Sequence, residues 1–235
     1  PLASTVACCA VVDAVLAGQT PSALEPLDPW RLRIAVPQNL VLADVEEKVA
    51  RDFERALSAL SKAGAKVERL AVPEFDDIPR INAKAGFSAA EALAWHKDLI
   101  ATRGPQYDQR VVVRIKRGHE QSAIDYIGLF AERARLIAGV SARVQGYDAL
   151  ALPTTPIIAP RMADLAADDA FAKANMLALR NPSVINMIDG CAISLPMHVT
   201  GEAPTGLMLA ALGGRDAALF AIAATAESIL GARRA

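Results

Sequence analysis

The chain has 235 residues, of which 53% are hydrophobic and 22% are charged, and its net charge at pH 7 is −1. This composition predicts a globular protein with a sizeable core and excludes a disordered chain. Because acidic and basic residues are balanced and interspersed, we expect neither nucleic acid nor a membrane surface as a partner. Uncharged stretches such as 149–160 are too short to cross a bilayer, so no transmembrane helix is predicted.

The cysteines and histidines indicate neither a disulfide framework nor a metal site. Three cysteines, Cys8, Cys9 and Cys191, form no even set and no C-x-x-C motif, which favours a reducing, cytoplasmic compartment. The three histidines are scattered, and no cofactor is expected. The sequence opens "PLASTVACC" without an initiator methionine and begins at once with a helix of core character. This start indicates that the sequence is part of a longer protein.

The first half of the sequence predicts a β-α-β unit. A helix over about 5–17, capped by Ser4 or Thr5, precedes a Pro-rich linker (19–30) and a buried strand that ends at Pro37. Asp44 and Glu47 have the spacing of a capping box for the next helix. Its apolar positions form one stripe, and a second strand follows Gly64; the stripe consists of Val45, Val49, Phe53, Leu57 and Leu60.

The second half adds helices and three further strands. Two helices are predicted within 78–102 and a long one over 122–145, with Ser122 and Asp125 as its capping box. Near-continuous apolar runs predict strands buried on both faces at "DALALP", "CAISLP" and "GLMLAAL", and a last helix covers 217–230. We therefore predict a single α/β domain over 1–235, with a mixed, largely parallel sheet flanked by helices.

The end of the strand "DALALP" supplies the first candidate site residues. Ligands of open α/β sheets bind outside the carboxyl ends of the strands. Pro153 stops the strand and holds Thr154 and Thr155 in a stiff loop, so both threonines are predicted to line a substrate pocket. The alternative is that the prolines only end the strand and protect its edge.

Three other residues are candidates for the pocket. Arg114 lies in the apolar run "VVVRIKRG", where a guanidinium needs a carboxylate, supplied either by the substrate or by Asp125 or Glu120. Asp189 either caps backbone amides or faces the pocket, and Cys191 is either a pocket residue or a small buried one. Because no nucleophile motif of the G-x-S-x-G or S-x-x-K type occurs, no catalytic residue is assigned within the chain.

Several segments, taken in order, resemble the amidase signature hydrolases. They are "YDQRVVVRIKRGHEQSAIDY", "YDALALPTTPIIAP", "NMIDGCAISLP" and "APTGLMLAALGGRDAALFAIAATAESIL". The resemblance covers nearly the whole chain and is to the C-terminal half of the family. It implies a serine hydrolase of amide bonds whose Ser-Ser-Lys relay lies upstream of this sequence. This chain would then form pocket walls for a small-molecule amide and be inactive alone.

The same resemblance bears on Arg114 and on the alternatives. Arg114 matches the arginine that family members place against a substrate carboxylate, whereas Leu179 stands near a position that is acidic in the A subunits of tRNA-dependent amidotransferases. The segment "DGCAISLP" resembles that of general amidases or allophanate-hydrolase-like enzymes more than that of the amidotransferase subunits. Besides such an amidotransferase, the alternative is a non-catalytic scaffold or interaction subunit. Truncation of a shared sheet predicts an open edge and an apolar face, and hence a homo-oligomer or pairing with an N-terminal half.

Overall fold

The computed structural model of the chain describes residues 1–231. Two compact units make up the chain: the first contains Pro1–Val72 and the residues from Ser141 onward, and the second is Pro73–Val140. The sheet belongs to the first unit. Within residues 1–231, no helix is both long enough and apolar enough to cross a membrane.

Eight α-helices lie within the described residues: α1 (Val6–Leu16), α2 (Glu47–Lys62), α3 (Ile78–Ile81), α4 (Gly86–Arg103), α5 (Gln109–Lys116), α6 (Ala123–Arg143), α7 (Asp168–Met187) and α8 (Asp216–Gly231). Short 3₁₀ helices occupy Pro29–Arg31, Pro73–Asp77, Gly104–Gln106, Arg117–Glu120 and Met162–Leu165.

A five-stranded mixed sheet confirms the predicted fold class. Its strands are β1 (Arg33–Pro37), β2 (Lys66–Leu70), β3 (Ala149–Pro153), β4 (Gly190–Pro196) and β5 (Gly206–Leu212), in the order β2-β1-β3-β5-β4. β1 pairs in parallel with β2 and β3, whereas β5 is antiparallel to both β3 and β4. Consequently β1, β3 and β4 all end at one end of the sheet, and β5 begins there.

Helix α2 covers the sheet through the stripe that its sequence predicts. Val49, Phe53, Leu57 and Leu60 are buried and join side chains of β1, β3, β5 and α8 in one core. Burying an apolar side chain of this size contributes about 1.5–3 kcal/mol. This packing holds the strand ends that carry the candidate site.

Two predicted caps are confirmed. The Thr5 hydroxyl accepts a hydrogen bond from the Cys8 N–H (3.1 Å) at the start of α1. At α6, the Ser122 N–H donates to Asp125 Oδ2 (3.0 Å) and the Asp125 N–H donates to Ser122 Oγ (3.1 Å). These bonds satisfy backbone donors that the first turn of a helix leaves unpaired.

The predicted capping box at α2 is wrong. The N-cap residue is Glu46, which makes no side-chain bond to the helix, and Asp44 lies in a turn with φ of +48°. Glu46 instead binds the loop after β3: its N–H donates to Pro156 O (2.8 Å), and its Oε2 accepts from the Ile158 N–H (3.1 Å). A contact distant in sequence therefore replaces the local cap.

Two other expectations from the sequence differ from the structure. "CAISLP" is not buried on both faces, because β4 is the edge strand and Ala192, Ser194 and Pro196 are exposed. The 20-residue helix α7, which contains Pro182, was not predicted. An internal proline removes one helical hydrogen bond and usually indicates a break in a helix, so the sequence pattern does not predict α7.

Candidate functional site

Two hydroxyl groups meet at the end of the sheet where β3 and β4 finish. Thr154 Oγ1 lies 2.6 Å from Ser194 Oγ, and the Thr154 N–H donates to Gly206 O (2.8 Å). Thr154 is half-buried and Ser194 is exposed. Thr154 was predicted from the sequence; Ser194 was not, because "CAISLP" was interpreted as a strand buried on both faces.

Gly206 makes this hydroxyl pair possible. β5 lies between β3 and β4, so the two side chains approach each other across its first residue. A Cβ on Gly206 would lie 2.6 Å from Ser194 Oγ and 2.7 Å from Thr154 Oγ1, which is closer than real Cβ contacts. The absence of a side chain at Gly206 therefore provides the space for the hydroxyls.

A buried amide links the carboxyl end of β3 to the loop that follows β1. Asn181 on α7 is fully buried, and its Nδ2 donates to Pro153 O (2.7 Å) and to Val41 O (3.1 Å). Arg180 also donates to Val41 O (3.2 Å), and burial lowers the pKa of its guanidinium. Asn181 was missed because α7 itself was missed.

The hydroxyl of Thr155 is used inside its own loop. Thr155 Oγ1 donates to Ile157 O (2.8 Å), which closes a short turn after Pro153. The same loop is bound to Glu46 at the start of α2. Thr155 thus lies beside Thr154, as the sequence predicts, and the stiffness expected of this loop has a visible cause.

Asp189 and Cys191 lie at the opposite end of the sheet from the threonines. They flank Gly190, which pairs with Leu212 at the far end of β5, whereas Thr154 lies beside Gly206 at its start. Seven residues of strand cover about 20 Å. The structure therefore does not bring the two predicted pairs together.

The surroundings of Asp189 differ from the expected apolar ones. Asp189 is exposed and has a positive φ of +56° in the turn between α7 and β4. Its carbonyl oxygen is the reason why Gly213 tolerates no side chain, since a Cβ there would lie 2.4 Å away. The turn is thus closely packed against Gly213.

Cys191 lines a cleft of about 310 Å³ that runs along the open edge of β4 between the start of α1 and α8. The Cys191 thiol donates to Leu212 O (3.7 Å). Burial, together with the charge of Asp216, raises the pKa of this thiol. The protonated thiol is a poor nucleophile at neutral pH.

Arg114 belongs to the second unit and is exposed on α5, between the buried residues Val112 and Ile115. The apolar run around Arg114 is a helix with one buried face: Val112 and Ile115 are buried, whereas Val113 is exposed, as Arg114 is. Both carboxylates proposed as its partners are engaged with other cations. Asp125 binds Lys84 Nζ (2.9 Å), and Glu120 binds Arg117 Nε (3.0 Å).

Metal binding has no support among the described side chains. In residues 1–231, no three or more His, Cys, Asp or Glu side chains are grouped closely enough to hold a metal ion.

Comparison with known proteins identifies the family. The model of the Amidase family matches residues 1–220. The chain is 30% identical over 207 residues to 2-amino-5-chloromuconic acid deaminase of Comamonas testosteroni, covering 88% of this chain and 45% of that protein. It is 25% identical over 237 residues to the A subunit of glutamyl-tRNA(Gln) amidotransferase from Symbiobacterium thermophilum, covering 90% of this chain and 48% of that protein.

A solved amidase structure has a similar fold, with a TM-score of 0.80 and 22% identity, over 97% of this chain and 51% of that structure's chain. The chain therefore belongs to the amidase family, and it spans about half the length of the relatives that it matches.

Proposed function

We propose that this chain is the C-terminal part of a serine amidase and forms walls of the pocket in which a carbon–nitrogen amide bond of a small molecule is hydrolysed. The observation that carries the proposal is the family match over residues 1–220, in a chain about half as long as its relatives. The nucleophile and its base would come from a segment outside these 235 residues.

The hydroxyl pair is the proposed polar wall of this pocket. When one hydroxyl of Thr154 and Ser194 donates to the other, the second O–H remains available as a donor, and oxygen lone pairs remain as acceptors. Such a pair suits the carbonyl or N–H of an amide. Thr155, in the same loop as Thr154, is proposed to line the pocket as well. Any contact of Asp189 or Cys191 with a ligand would be at the opposite end of the sheet.

Arg114 is proposed to recognise an anionic group of the substrate. Its guanidinium is exposed, and Asp125 and Glu120 are engaged by other cations. A planar guanidinium grips a carboxylate through two parallel hydrogen bonds. The name of the Comamonas relative says that it deaminates an acid, which favours a carboxylate-bearing substrate for this chain as well.

Surface features of the first unit favour additional polypeptide beside it, from the same protein or from a second copy. Among residues 1–231, no strand pairs with the outer edge of β4, and Val15 and Leu16 on α1 are exposed by 62% and 77%. Apolar side chains on an exposed helix face and an open strand edge are both features that proteins usually cover.

The three cysteines are free, which favours a reducing, cytoplasmic compartment.

The second candidate function is that of the A subunit in a tRNA-dependent amidotransferase, which the Symbiobacterium relative favours. Against it stands Leu179, half-exposed at 50%, near the position where the resemblance implies an acidic residue in those proteins. If the protein turned over free small amides without tRNA or partner subunits, that result would favour the amidase.

Amide turnover tests the proposal. Ammonia release is measured for the purified 235-residue chain and for a longer protein, in which these residues follow the upstream segment that the proposal requires. We expect no turnover from the chain alone, and turnover with labelling of an upstream serine by a serine-reactive probe in the longer protein. Hydrolysis by the chain alone at a serine-hydrolase rate would contradict the proposal, and an inactive longer protein would favour a scaffold.

A further inference from the structure

A carboxylate with no exposed surface lies on α2, outside the site described above. Asp52 is 0% exposed; its Oδ2 accepts from Thr205 Oγ1 (2.7 Å) and Lys48 Nζ (2.9 Å), and its Oδ1 lies 2.9 Å from Arg55 Nη2. A buried carboxylate is costly unless charges and donors surround it. The groups around Asp52 offset this cost, and two of them also bind the segment that connects β4 to β5.

The environment keeps Asp52 ionised. Burial raises the pKa of its carboxyl, but the bonds from Lys48 and Thr205 and the charge of Arg55 outweigh burial and hold the pKa below its usual value. An ionised acceptor makes the bond from Thr205 a charge-assisted one, which is about twice as strong as a neutral bond.

Three α2 side chains hold the connection between β4 and β5, residues 197–205. Arg55 Nη2 donates to Met197 O (2.9 Å) at its beginning, and Lys48 Nζ bonds Glu202 in its middle. At its end Asp52 accepts from Thr205, while the Met197 N–H donates to Thr205 O (2.9 Å) across the base of the connection. Asp52 is the group on which these contacts converge.

Thr205 links this network to the hydroxyl pair. It directly precedes Gly206, whose carbonyl accepts from the Thr154 N–H and whose Cα lies beneath Thr154 Oγ1 and Ser194 Oγ. Because Gly206 binds the Thr154 N–H and both hydroxyls lie over it, a displacement of Thr205 would shift the backbone on which the pair is built.

We propose that Asp52 is a positioning residue, which fixes Gly206 through Thr205 and thereby sets the geometry of the Thr154–Ser194 pair. The positioning itself rests on these contacts alone. Its consequence for catalysis rests on the proposed function, in which the hydroxyl pair contacts the substrate.

Amide hydrogen exchange, measured by NMR on the 235-residue chain, tests the positioning without any activity. Thr205→Val removes the donor to Asp52 with little change in volume, Thr205→Ser keeps it, and Glu54→Gln is a control on the exposed side of α2, where Glu54 pairs with Arg69. We expect Thr205→Val to speed exchange of the Thr154 and Met197 amides by about tenfold or more, and by more than that of the Leu60 amide in α2. Thr205→Ser and Glu54→Gln should exchange as the wild type does.

Equal exchange of Thr154 in the wild type and in folded Thr205→Val would overturn the proposal, and so would an acceleration equal at Thr154 and Leu60. If Thr205→Val does not fold, Thr205→Ala replaces it, since it also removes the hydroxyl that donates to Asp52. Unchanged exchange at Thr154 and Met197 in that folded variant would equally overturn the proposal.

A kinetic measurement on the longer protein separates this inference from the proposed function. We expect Thr205→Val to lower kcat by about tenfold with little change in KM, and Thr205→Ser to restore kcat. Faster exchange at Thr154 with an unchanged kcat would support the positioning and refute the role of the hydroxyl pair in the reaction.

Discussion

Thr154 and Ser194 come from strands that do not pair with each other, yet their hydroxyl oxygens lie 2.6 Å apart. The strand between them begins with a glycine, and the two side chains meet above it. The polar site at this end of the sheet thus depends on a glycine, with no side chain, at position 206.

Replacement of Gly206 tests this dependence. Gly206→Ala would place a Cβ within 2.7 Å of both hydroxyl oxygens, so we expect a loss of about 1–3 kcal/mol in the free energy of unfolding, measured with urea. Gly128→Ala on α6 is the control, because a Cβ there meets no atom within 4 Å and alanine favours the helix. A Gly206→Ala variant as stable as the wild type would show that the pair is not closely constrained.

Removal of the Asn181 side chain should destabilise the first unit. Asn181→Ala leaves Pro153 O and Val41 O without the amide that binds them in a buried position. The expected loss in the free energy of unfolding is about 2–4 kcal/mol. Ser183→Ala, a less buried position on the same helix, should change it by less than about 0.5 kcal/mol. Similar losses in both variants would exclude a specific role for the amide.

Acid should weaken the start of α6. The bonds from Lys84 and from the N–H and hydroxyl of Ser122 lower the pKa of Asp125 to about 2. Because the folded-state pKa lies below the unfolded value of about 3.9, this stabilisation is present above pH 4 and is lost as the pH falls towards 2.

The Asp125→Asn variant should therefore lose less stability than the wild type between about pH 4 and pH 2, as measured by urea midpoints at each pH. Asp98→Asn, an exposed carboxylate on α4, is the control and should follow the wild type. A wild-type pH profile for Asp125→Asn would show that Asp125 does not form these bonds in solution.

Substrate recognition by Arg114 is testable in the longer protein. Arg114→Ala should lower kcat/KM for a carboxylate-bearing amide by about 10- to 100-fold and have much less effect on a neutral amide. Lys116→Ala on the same helix is the control for loss of one positive charge. If Arg114→Ala lowers the melting temperature but keeps the preference between the two amides, Arg114 has a structural role instead.

The sequence predicted the elements whose signals are local or periodic. Each of these signals lies within the segment that it predicts, and the structure confirms them: the stripe of α2, the Ser122–Asp125 cap and the apolar runs of β3 and β5. Local patterns failed where distant contacts decide: Glu46 binds the loop after β3 and replaces the expected cap, and the edge position of β4 exposes residues that its apolar sequence suggests are buried.

The candidate site was predicted in part for the same reason. Thr154 and Thr155 follow from the rule that ligands bind at strand ends, and that rule depends only on where a strand stops. Ser194 and Gly206 meet Thr154 through strand order, which a single sequence does not contain. Asp189 and Cys191 were assigned to the same pocket although they precede or begin their strand, and the direction of β4 places them at the other end.

The most direct test of the proposed pocket is a crystal structure of the longer protein with a bound, non-hydrolysable analogue of an amide substrate. The account predicts polar atoms of the analogue within about 3.2 Å of Thr154 Oγ1 or Ser194 Oγ, at the end of the sheet where β5 begins. An analogue bound at the Asp189–Cys191 end, or away from both hydroxyls, would contradict it.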